Sequence, residues 1–501
     1  MSLVTPAPFP HTLEVTSTPL LVFFADGVTL GKDDGVNVTN WGIVAPTKAP
    51  GVEAGAALSG TGPNGTYTWQ YTYKNSKTQH QSNPSPASNS LTLAFQAANL
   101  PAIPAPADSQ VDRVVWYRQG GAIADYEYVI EVAINTPATD TVGDLSLLNI
   151  VETDNDPPSP LSVIWEHLNC IFGIIAGAPE QIGWSKRWRP ESFPLANTLI
   201  VTNRGEPLRA GLSWNGLGYV WSNKRLFRLL AAEQTDPTTG ETLLVISSTV
   251  VEGAPGTASP RSITATAAGI VYRARDGLYL FDGSAATRLS DPADPLFHGE
   301  AIASYQPLAS RVADQGAERA TAHRGEYWLS HPIVMNGPNE QTLVWDLLRK
   351  RLRTILPFGF DALFGEWDCD IQGAMADQGV YLVELATNDA GQPIAVDVET
   401  SFQPMDGGRE RPVQALCIEA DAGGATLTIT VARDGLDPSV PAAPSVSAVF
   451  GPGRTRRFFK VQGVAQAAAI EISGSVNDFI LYRCLLSDDI IELKRYMDRE
   501  Q

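Results

Sequence analysis

Cysteine, lysine and long apolar runs are all scarce in this chain. The longest apolar runs, such as residues 20–25 and 170–178, are too short to span a membrane. The opening MSLVTPAPFPHTLEV lacks the basic region of a signal peptide, so we expect a soluble chain that folds in a cytoplasm. The scattered cysteines argue for reduced, mostly buried thiols and against a disulfide framework. They are Cys170, Cys369, Cys417 and Cys484.

Charged residues are also few, at 18% of the chain, and the two signs are unbalanced. The formal net charge is −19, and 27 arginines stand against nine lysines. A strongly acidic protein repels nucleic acid and anionic membranes at long range, so we expect no tight binding of DNA. Arg is the cation enriched at protein interfaces. The composition therefore indicates either extensive subunit contacts or GC-rich coding bias.

A strand pattern recurs through the middle of the chain. It reads LGYVWSNKRLFR at 217–228, GIVYRARDGLYLFDG at 269–283 and QGVYLVEL at 378–385. Alternating apolar residues give a strand one buried face, and Asp276–Gly277 predicts a two-residue hairpin turn. Repeated hairpins build radial or layered structures, because stacked repeats cover exposed strand edges. The sequence therefore predicts an all-β fold with a β-propeller-like core of about five or six blades.

The predicted organisation has four parts, which the Gly- and Pro-rich stretches separate. An N-terminal docking segment that could complete the propeller is followed by a β-sandwich of immunoglobulin-like or fibronectin-III-like type. The propeller comes next, and a C-terminal β-domain with a short terminal helix ends the chain. The predicted ranges are 1–60, 61–158, 159–395 and 396–501.

Two local patterns support the outer parts of this organisation. In the sandwich, alternation along one strand places four aromatic residues on one face. At the C-terminus, Ser487 is the predicted N-cap of a short helix with one apolar face. The aromatic residues are Tyr67, Trp69, Tyr71 and Tyr73, and the helix face comprises Ile490, Leu493 and Met497.

Candidate catalytic and metal-binding residues are few. His167 and Cys170 are close in sequence and could share a face of a helical turn, but a zinc site needs more ligands. Asp368 and Asp370 flank Cys369 and would point the same way on a strand. That arrangement fits a cation site, a glycosidase pair or a solvated strand face. The sequence predicts no catalytic site, no metal and no cofactor, and hence a protein that is not an enzyme.

Two basic clusters stand out in this acidic chain. We expect them to be subunit-interface residues, because basic islands on an acidic protein attract acidic neighbours. Contact with DNA phosphates and a charged hairpin turn in water are the alternatives. The clusters are Arg349, Lys350, Arg351 and Arg353, and then Arg454, Arg456 and Arg457.

Several segments, taken in order, resemble the β-propeller tail proteins of bacteriophages. The resemblance is to the nozzle or hub proteins of short-tailed phages, also called tail tubular protein B or packaged-DNA stabilisation proteins. The chain departs from the family at residues 77–80, KTQH, where members often have a Ser/Glu-rich turn. The resembling segments are WGIVAP at 41–46, TYTWQYTYKNSKTQHQSNPSP at 66–86, IGWSKRWRPESFP at 182–194, SPRSITATAAGIVYRARDGLYLFDG at 259–283 and LVWDLLRKRLRTI at 343–355, with RRFFKVQGV and IEISG near the end.

The resemblance implies a structural virion protein of the phage tail. It implies a ring, of six copies, at the tail tip that retains genomic DNA and conducts it during ejection without binding it specifically. The implied partners are a tail adaptor protein and tail fibres or tailspikes, and the implied place of assembly is the host bacterial cytoplasm. A closed ring needs heterologous interfaces, in which one patch meets a different patch on the neighbour.

Two other functions stay open at this point. One is a tail protein that binds or degrades host-surface glycans, since propellers and sandwiches both serve as carbohydrate scaffolds. The other is a connector or baseplate protein of a long-tailed phage. Four tryptophans could line a sugar platform or be buried in the propeller core: Trp184, Trp188, Trp214 and Trp221.

Overall fold

The computed structural model divides the chain into two compact units, Met1–Tyr381 and Leu382–Gln501. Each unit consists of antiparallel β-sheets. The structure describes residues 14–17, 21–235, 242–257, 259–302, 305–308, 316–365, 371–375, 380–382, 394–400, 403–404, 411–433, 445–476, 479–487, 489, 491 and 493–494.

Unit 1 begins with a four-stranded sheet, called blade 1, and a β-sandwich inserted after it. Blade 1 comprises β1 (Glu14–Ser17), β2 (Val22–Ala25), β3 (Leu30–Asp33) and β4 (Val38–Asn40). The sandwich comprises β5 (Glu53–Ala57), β6 (Asn64–Lys74), β7 (Leu91–Ala94), β8 (Gln96–Leu100), β9 (Arg113–Gly120), β10 (Ile123–Ala133), β11 (Ala138–Asp140), a 3₁₀ turn at Asp144–Ser146 and β12 (Leu148–Ile150). Its two sheets have the strand orders β12-β10-β9-β6-β7 and β11-β8-β5.

The remaining sheets of unit 1 are simple meanders, called blades 2 to 6. Blades 2 and 3 comprise β13 (Leu161–His167), β14 (Cys170–Ile175), β15 (Gln181–Trp184), β16 (Thr198–Ile200), β17 (Leu208–Trp214), β18 (Leu217–Ser222), β19 (Arg225–Thr235) and β20 (Thr242–Pro255). Blade 4 comprises β21 (Thr264–Thr266), β22 (Gly269–Ala274), β23 (Gly277–Phe281) and β24 (Ala286–Arg288). Blades 5 and 6 comprise β25 (Arg319–His323), β26 (Glu326–His331), β27 (Gln341–Asp346), β28 (Arg351–Leu356), β29 (Ala362–Phe364), β30 (Gln372–Ala374) and β31 (Val380–Leu382). Short helical segments lie at Pro260–Ser262, Asp291–Ala293 and α1 (Asp294–Phe297).

The first strands of successive blades lie side by side. β1 contacts β13, β13 contacts β17, β21 contacts β25, and β25 contacts β29. β17 contacts the 3₁₀ turn that leads into β21. Sheets arranged in this way radiate from their first strands, which is the arrangement of a β-propeller. The structure confirms the predicted all-β, propeller-like fold.

Large apolar side chains fill the space between neighbouring blades. Trp41 packs between blades 1 and 2, with its ring centroid 4.7 Å from that of Phe23 and 5.5 Å from that of Phe193. Between blades 3 and 4, Trp221 is fully buried, 5.6 Å from Tyr272. A strand inside a blade can therefore be buried on both faces, as in β27, where all six residues are buried. Of the four predicted platform residues, Trp184 and Trp221 belong to these cores.

In the sandwich, the predicted aromatic face of β6 packs into the core between the two sheets. Trp69 is fully buried there. The extended segment SNPSPAS at 82–88 runs beside β6 and forms hydrogen bonds with its backbone. Ser82, Ser85 and Ser88 each donate a backbone N–H to β6 and accept one from it through the hydroxyl. The serine hydroxyls thus take the acceptor role that backbone carbonyls have in a regular strand pair. Because β5 pairs with β8, the sandwich begins at Glu53, ahead of the expected boundary at residue 61.

The predicted hairpin turn in blade 4 is displaced by one residue. Ala274 pairs with Gly277, so the turn consists of Arg275 and Asp276. Gly277 is the first strand residue, and a Cβ there would lie 2.1 Å from the Ser290 hydroxyl. The glycine is required because the loop after β24 approaches it closely through Ser290, and the Asp276–Gly277 turn assignment is wrong.

Unit 2 is a second all-β body with its own core. It comprises β32 (Ile394–Glu399), β33 (Gln403–Pro404), β34 (Arg411–Asp421), β35 (Thr426–Arg433), β36 (Val446–Val449), β37 (Thr455–Ala465), β38 (Ala467–Val476) and β39 (Ile480–Ser487). The strand orders are β32-β38-β35-β36, with β33 also on β38, and β37-β34-β39. After β39, the Ser487 hydroxyl accepts the N–H of Asp489, and Leu493 is helical and buried against Cys417. Ile490 and Met497 of the predicted helix face lie outside the described residues.

Removing a ring from a blade interface is expected to destabilise unit 1. We expect Trp221→Ala to lower the free energy of unfolding by about 3–5 kcal/mol, because a fully buried indole leaves a cavity. Denaturant unfolding followed by circular dichroism measures the change. The control Leu348→Ala removes a side chain that is 86% exposed and should alter stability by less than about 0.5 kcal/mol. Equal losses in the two variants would contradict the burial argument.

Candidate functional site

A groove of about 530 Å³ lies between the sandwich and blade 2. One wall is formed by the loop after β6 and by Tyr117 and Tyr128 of the sandwich sheet. The linker from the sandwich to blade 2 contributes Glu152 and Asn155, and the loop after β15 contributes residues 188–192. A cavity of this size is in the range of small-molecule sites.

Ion pairs join the linker to the loop of blade 2. Lys186 pairs with Glu152 at 3.3 Å and also with Asp154, and Arg189 pairs with Glu152. Burial acts to raise the pKa of Glu152, but the hydrogen bond from Arg189 and the two positive charges outweigh it, and the pKa is lowered. Glu152 is therefore an anion at neutral pH whose charge is already balanced by its neighbours.

Further polar contacts hold the sandwich against blades 1 and 2. The Asn83 amide donates to Asp156 at 2.8 Å and accepts the Asn155 N–H at 2.6 Å. The Gln110 amide donates to the Gly42 carbonyl at 3.0 Å. Buried amide hydrogen bonds of this kind are directional, so they fix the position of one wall of the groove relative to the other.

A buried ion pair adjoins the groove, since one of its members, Glu191, is a lining residue. Lys32 of β3 and Glu191 of the blade 2 loop pair with each other, and their side chains are only 2% and 3% exposed. Breaking a buried pair leaves an uncompensated charge, so the pair holds the loop firmly against blade 1. The Trp41 indole N–H donates to the Pro190 carbonyl at 2.8 Å and fixes the preceding residue as well.

His80 and Asn155 line the groove and are almost completely buried, with 8% and 4% of their surface exposed. His80 Nδ1 lies 3.4 Å from the Ser192 hydroxyl, while His80 Nε2 and Asn155 Oδ1 have no hydrogen-bond partner among the described residues. Burial lowers the pKa of His80 to about 4, so the imidazole is neutral at pH 7.

Trp188 stands at the opposite side of the groove and is 73% exposed. Its backbone has φ of +62°, a conformation that bulky residues rarely adopt. The Trp188 N–H donates to the Asn169 carbonyl at 2.9 Å, which holds this loop residue in place. Of the four tryptophans considered as a sugar platform, Trp188 is the one that lines the groove. Trp214 is half-buried and donates its indole N–H to the Thr266 carbonyl.

Two other pairs of residues were candidates for chemistry, His167 with Cys170 and Asp368 with Asp370. His167 and Cys170 face each other across a β-hairpin turn rather than on a helix. Burial lowers the pKa of His167 and raises that of Cys170 to about 12, which keeps both neutral. Residues 368–370, including the two predicted aspartates, lie outside the described residues. Within the part of the chain that is described, no three His, Cys, Asp or Glu side chains cluster as metal ligands.

The first basic cluster surrounds the turn between β27 and β28. Arg349 pairs with Asp346 at 2.8 Å, and Arg353 pairs with Glu326 at 2.9 Å and lies over the Trp328 ring. Lys350 and Arg351 are exposed and have no ion-pair partner among the described residues. Half of this cluster is therefore neutralised within its own blade, and the other half faces solvent.

The second basic cluster lies in unit 2 around one buried carboxylate. Glu419 accepts hydrogen bonds from Arg454 at 2.9 Å and from Arg456 at 3.3 Å. The hydrogen bond from Arg454 is the main cause of the lowered pKa of Glu419. Arg457 donates to the Val449 carbonyl at 3.3 Å. This cluster braces β34 against β37, a structural role that the expectation of a subunit interface did not include.

No model of a protein family matches the chain, and no curated protein matches it either. Among solved structures, the computationally designed Ika8 protein aligns with 10% identity and a TM-score of 0.28, over 73% of this chain and 94% of its own. BamB from Moraxella catarrhalis aligns with 11% identity and a TM-score of 0.27, over the same shares. A glycoside hydrolase family 43 arabinoxylan arabinofuranohydrolase from Bacillus subtilis aligns with 10% identity and a TM-score of 0.19, over 95% of both chains. Similarity at this level carries no argument about function.

None of the helices in the described part of the chain is long and apolar enough to cross a bilayer. Two of the segments singled out in the sequence line the groove: 66–86 supplies residues 78–81, and 182–194 supplies residues 188–192. Their convergence was the one sequence signal that could have located the groove.

The buried His80 is expected to make stability depend on pH. The pKa of about 4 in the folded protein is below the ordinary value of 6.5, so the unfolded chain takes up a proton first as the pH falls. We expect the free energy of unfolding to decrease from pH 6.5 to pH 4, and to decrease less steeply in His80→Gln. Urea unfolding at several pH values measures both slopes. The exposed His298→Gln serves as the control, and parallel curves for wild type and His80→Gln would contradict the assignment.

Proposed function

We propose that the protein is a structural component of a phage tail, a nozzle or hub ring that retains and conducts genomic DNA. The resemblance of its segments to nozzle proteins supports this function, as does a fold of blades joined by apolar packing. The observation that carries the proposal is an apolar edge strand on the sandwich. A second copy of the chain is the occupant that we assign to it.

The edge strand β12 ends the five-stranded sheet and pairs on one side only, with β10. Leu148 and Ile150 are 72% and 58% exposed, and Leu145 just before the strand is 97% exposed. An exposed edge strand with apolar side chains is a surface on which another chain can pair. In a ring, the neighbouring copy is that chain at every interface.

Charge complementarity supports the same assembly. The exposed Lys350 and Arg351 lie on a chain with a net charge of −19, so they are attracted to the acidic surface of another copy. A ring of acidic subunits would also repel the DNA phosphates that pass through it. The adaptor protein, the fibres or tailspikes and the location in the virion tail belong to this proposal.

The apolar edge is tested with Leu145→Ser/Leu148→Ser. We expect wild type to form closed rings in native mass spectrometry and negative-stain microscopy, and the double variant to remain folded but monomeric. Leu195→Ser, which alters a side chain that is 77% exposed on a loop of blade 2, should still assemble. A wild-type chain that stays monomeric and is missing from a cryo-EM map of the virion tail would overturn the proposal.

The basic turn is tested with Lys350→Glu/Arg351→Glu. We expect this charge reversal to weaken ring assembly at least tenfold at low salt, because like charges then meet at the interface. High salt should reduce the difference from wild type, since exposed charges are screened. Arg204→Glu/Lys224→Glu makes the same charge change at two other exposed positions. Equal weakening in both variants would show that net charge, and not this turn, is responsible.

A further inference from the structure

A ring needs two different patches on each chain, and unit 1 has two that match in charge and in apolar character. One is the apolar edge around β12, and the other is the basic turn at residues 348–351. We infer that the basic turn of one copy docks on the apolar edge of the next copy, and that its two exposed cations pair there with two carboxylates of β10. These residues are Lys350 and Arg351 on the turn, and Asp125 and Glu127 on β10. The inference rests on the proposed function, since it names the two surfaces that meet at each junction of the ring.

Two carboxylates border the apolar edge on the adjoining strand. In the pairing of β10 with β12, Glu127 lies opposite the exposed Ile150. Asp125 is exposed and Glu127 is half-buried, and neither has an ion-pair partner among the described residues. Glu131, the remaining carboxylate of β10, is already paired with Lys74 at 2.8 Å. The apolar edge therefore carries two negative charges that are available to a cation from another chain.

The basic turn carries the complementary groups. Lys350 and Arg351 are exposed, and in the described part of the chain no carboxylate pairs with them. Leu348, which precedes them, is 86% exposed. Packing this leucine against the apolar side chains of the edge removes both from water, which charge pairing alone does not do. The cations then fix the orientation of the contact, because they favour the side of the edge that carries the carboxylates.

The basic turn is held in one conformation before any contact. The Leu347 N–H donates to the Gly325 carbonyl at 3.0 Å, and the Arg349 N–H donates to Asp346 at 2.9 Å. Lys350 has φ of +53°, a left-handed conformation that persists only where the surroundings hold the backbone. A surface that is ordered in advance loses less conformational entropy when it binds.

The 3₁₀ turn that carries Leu145 of the apolar edge is also fixed. The Asp144 carboxylate accepts hydrogen bonds from the Tyr67 hydroxyl and from the Ala122 N–H, both at 2.9 Å. It also pairs at 3.0 Å with Arg118, whose side chain is fully buried. Leu145 is therefore 97% exposed on a turn that the core of the sandwich anchors, and both surfaces are preformed.

The contact is heterologous, because the two patches are different surfaces of unit 1. Each copy offers its apolar edge to one neighbour and its basic turn to the other, which is the arrangement that a ring requires. A dimer that pairs β12 with β12 is disfavoured by comparison. It would bring the like charges of Asp125 and Glu127 from both copies together and would leave the basic turn unused.

The inference is tested by exchanging the charges across the contact. We expect Asp125→Lys/Glu127→Lys to weaken ring assembly at least tenfold at low salt, as for Lys350→Glu/Arg351→Glu, because like charges meet in either variant. The chain with all four substitutions should assemble within about threefold of wild type, because the pairs are restored with reversed polarity. Sedimentation velocity of the full-length variants over a range of concentrations measures assembly, and circular dichroism checks that each variant is folded.

The matched control combines Lys350→Glu/Arg351→Glu with Glu53→Lys/Glu166→Lys, which restores the net charge at two exposed positions elsewhere in unit 1. It should assemble as weakly as Lys350→Glu/Arg351→Glu alone. Recovery in this control would overturn the contact and leave the ring standing. So would a lack of recovery in the chain with the four exchanged charges, provided that wild type forms rings. A wild type that forms no ring would overturn the proposed function, and the contact with it.

Discussion

The blades of unit 1 depend on their neighbours, because inner strands such as β14, β22 and β27 are buried on both faces. The six buried residues of β27 cannot be covered by one sheet alone, and the same holds for Trp221 between blades 3 and 4. Burial of such faces is the main favourable term in folding, and here it exists only between sheets. Neighbouring blades therefore share their cores, as blades 2 and 3 and blades 3 and 4 do.

The sandwich is attached by a different kind of interaction. Its contacts with blades 1 and 2 are amide hydrogen bonds and ion pairs, among them Asn83 with Asp156 and Arg189 with Glu152. Polar contacts of this kind fix the orientation of the sandwich but add little to the free energy of unfolding. They leave an open space between the sandwich and blade 2, and this space is the groove. A purely apolar attachment would have filled it.

The fold was largely predictable from local patterns, whereas the groove was not. Alternation in β6 predicted the buried aromatic face, because a strand period of two needs no tertiary information. The Asp276–Gly277 turn was misplaced because Gly277 is required by the approach of Ser290, which is distant in sequence. The groove is lined by His80, Asn155 and Trp188 together only because the sandwich is inserted after blade 1. The cluster of basic residues at 349–353 is visible in the sequence. Which of its cations are paired is not, because that depends on the positions of Asp346 and Glu326 in the fold.

The insertion of the sandwich has a mechanical consequence. The chain enters it from blade 1 and leaves it into blade 2, and both connections are pinned, by Gln110 on Gly42 and by Glu152 on Lys186. A sideways pull on the sandwich is therefore divided between two adjacent sheets, and neither sheet bears the whole load. The aromatic packing of Trp41 with Phe23 and Phe193 is then sheared along the blade interface rather than peeled open.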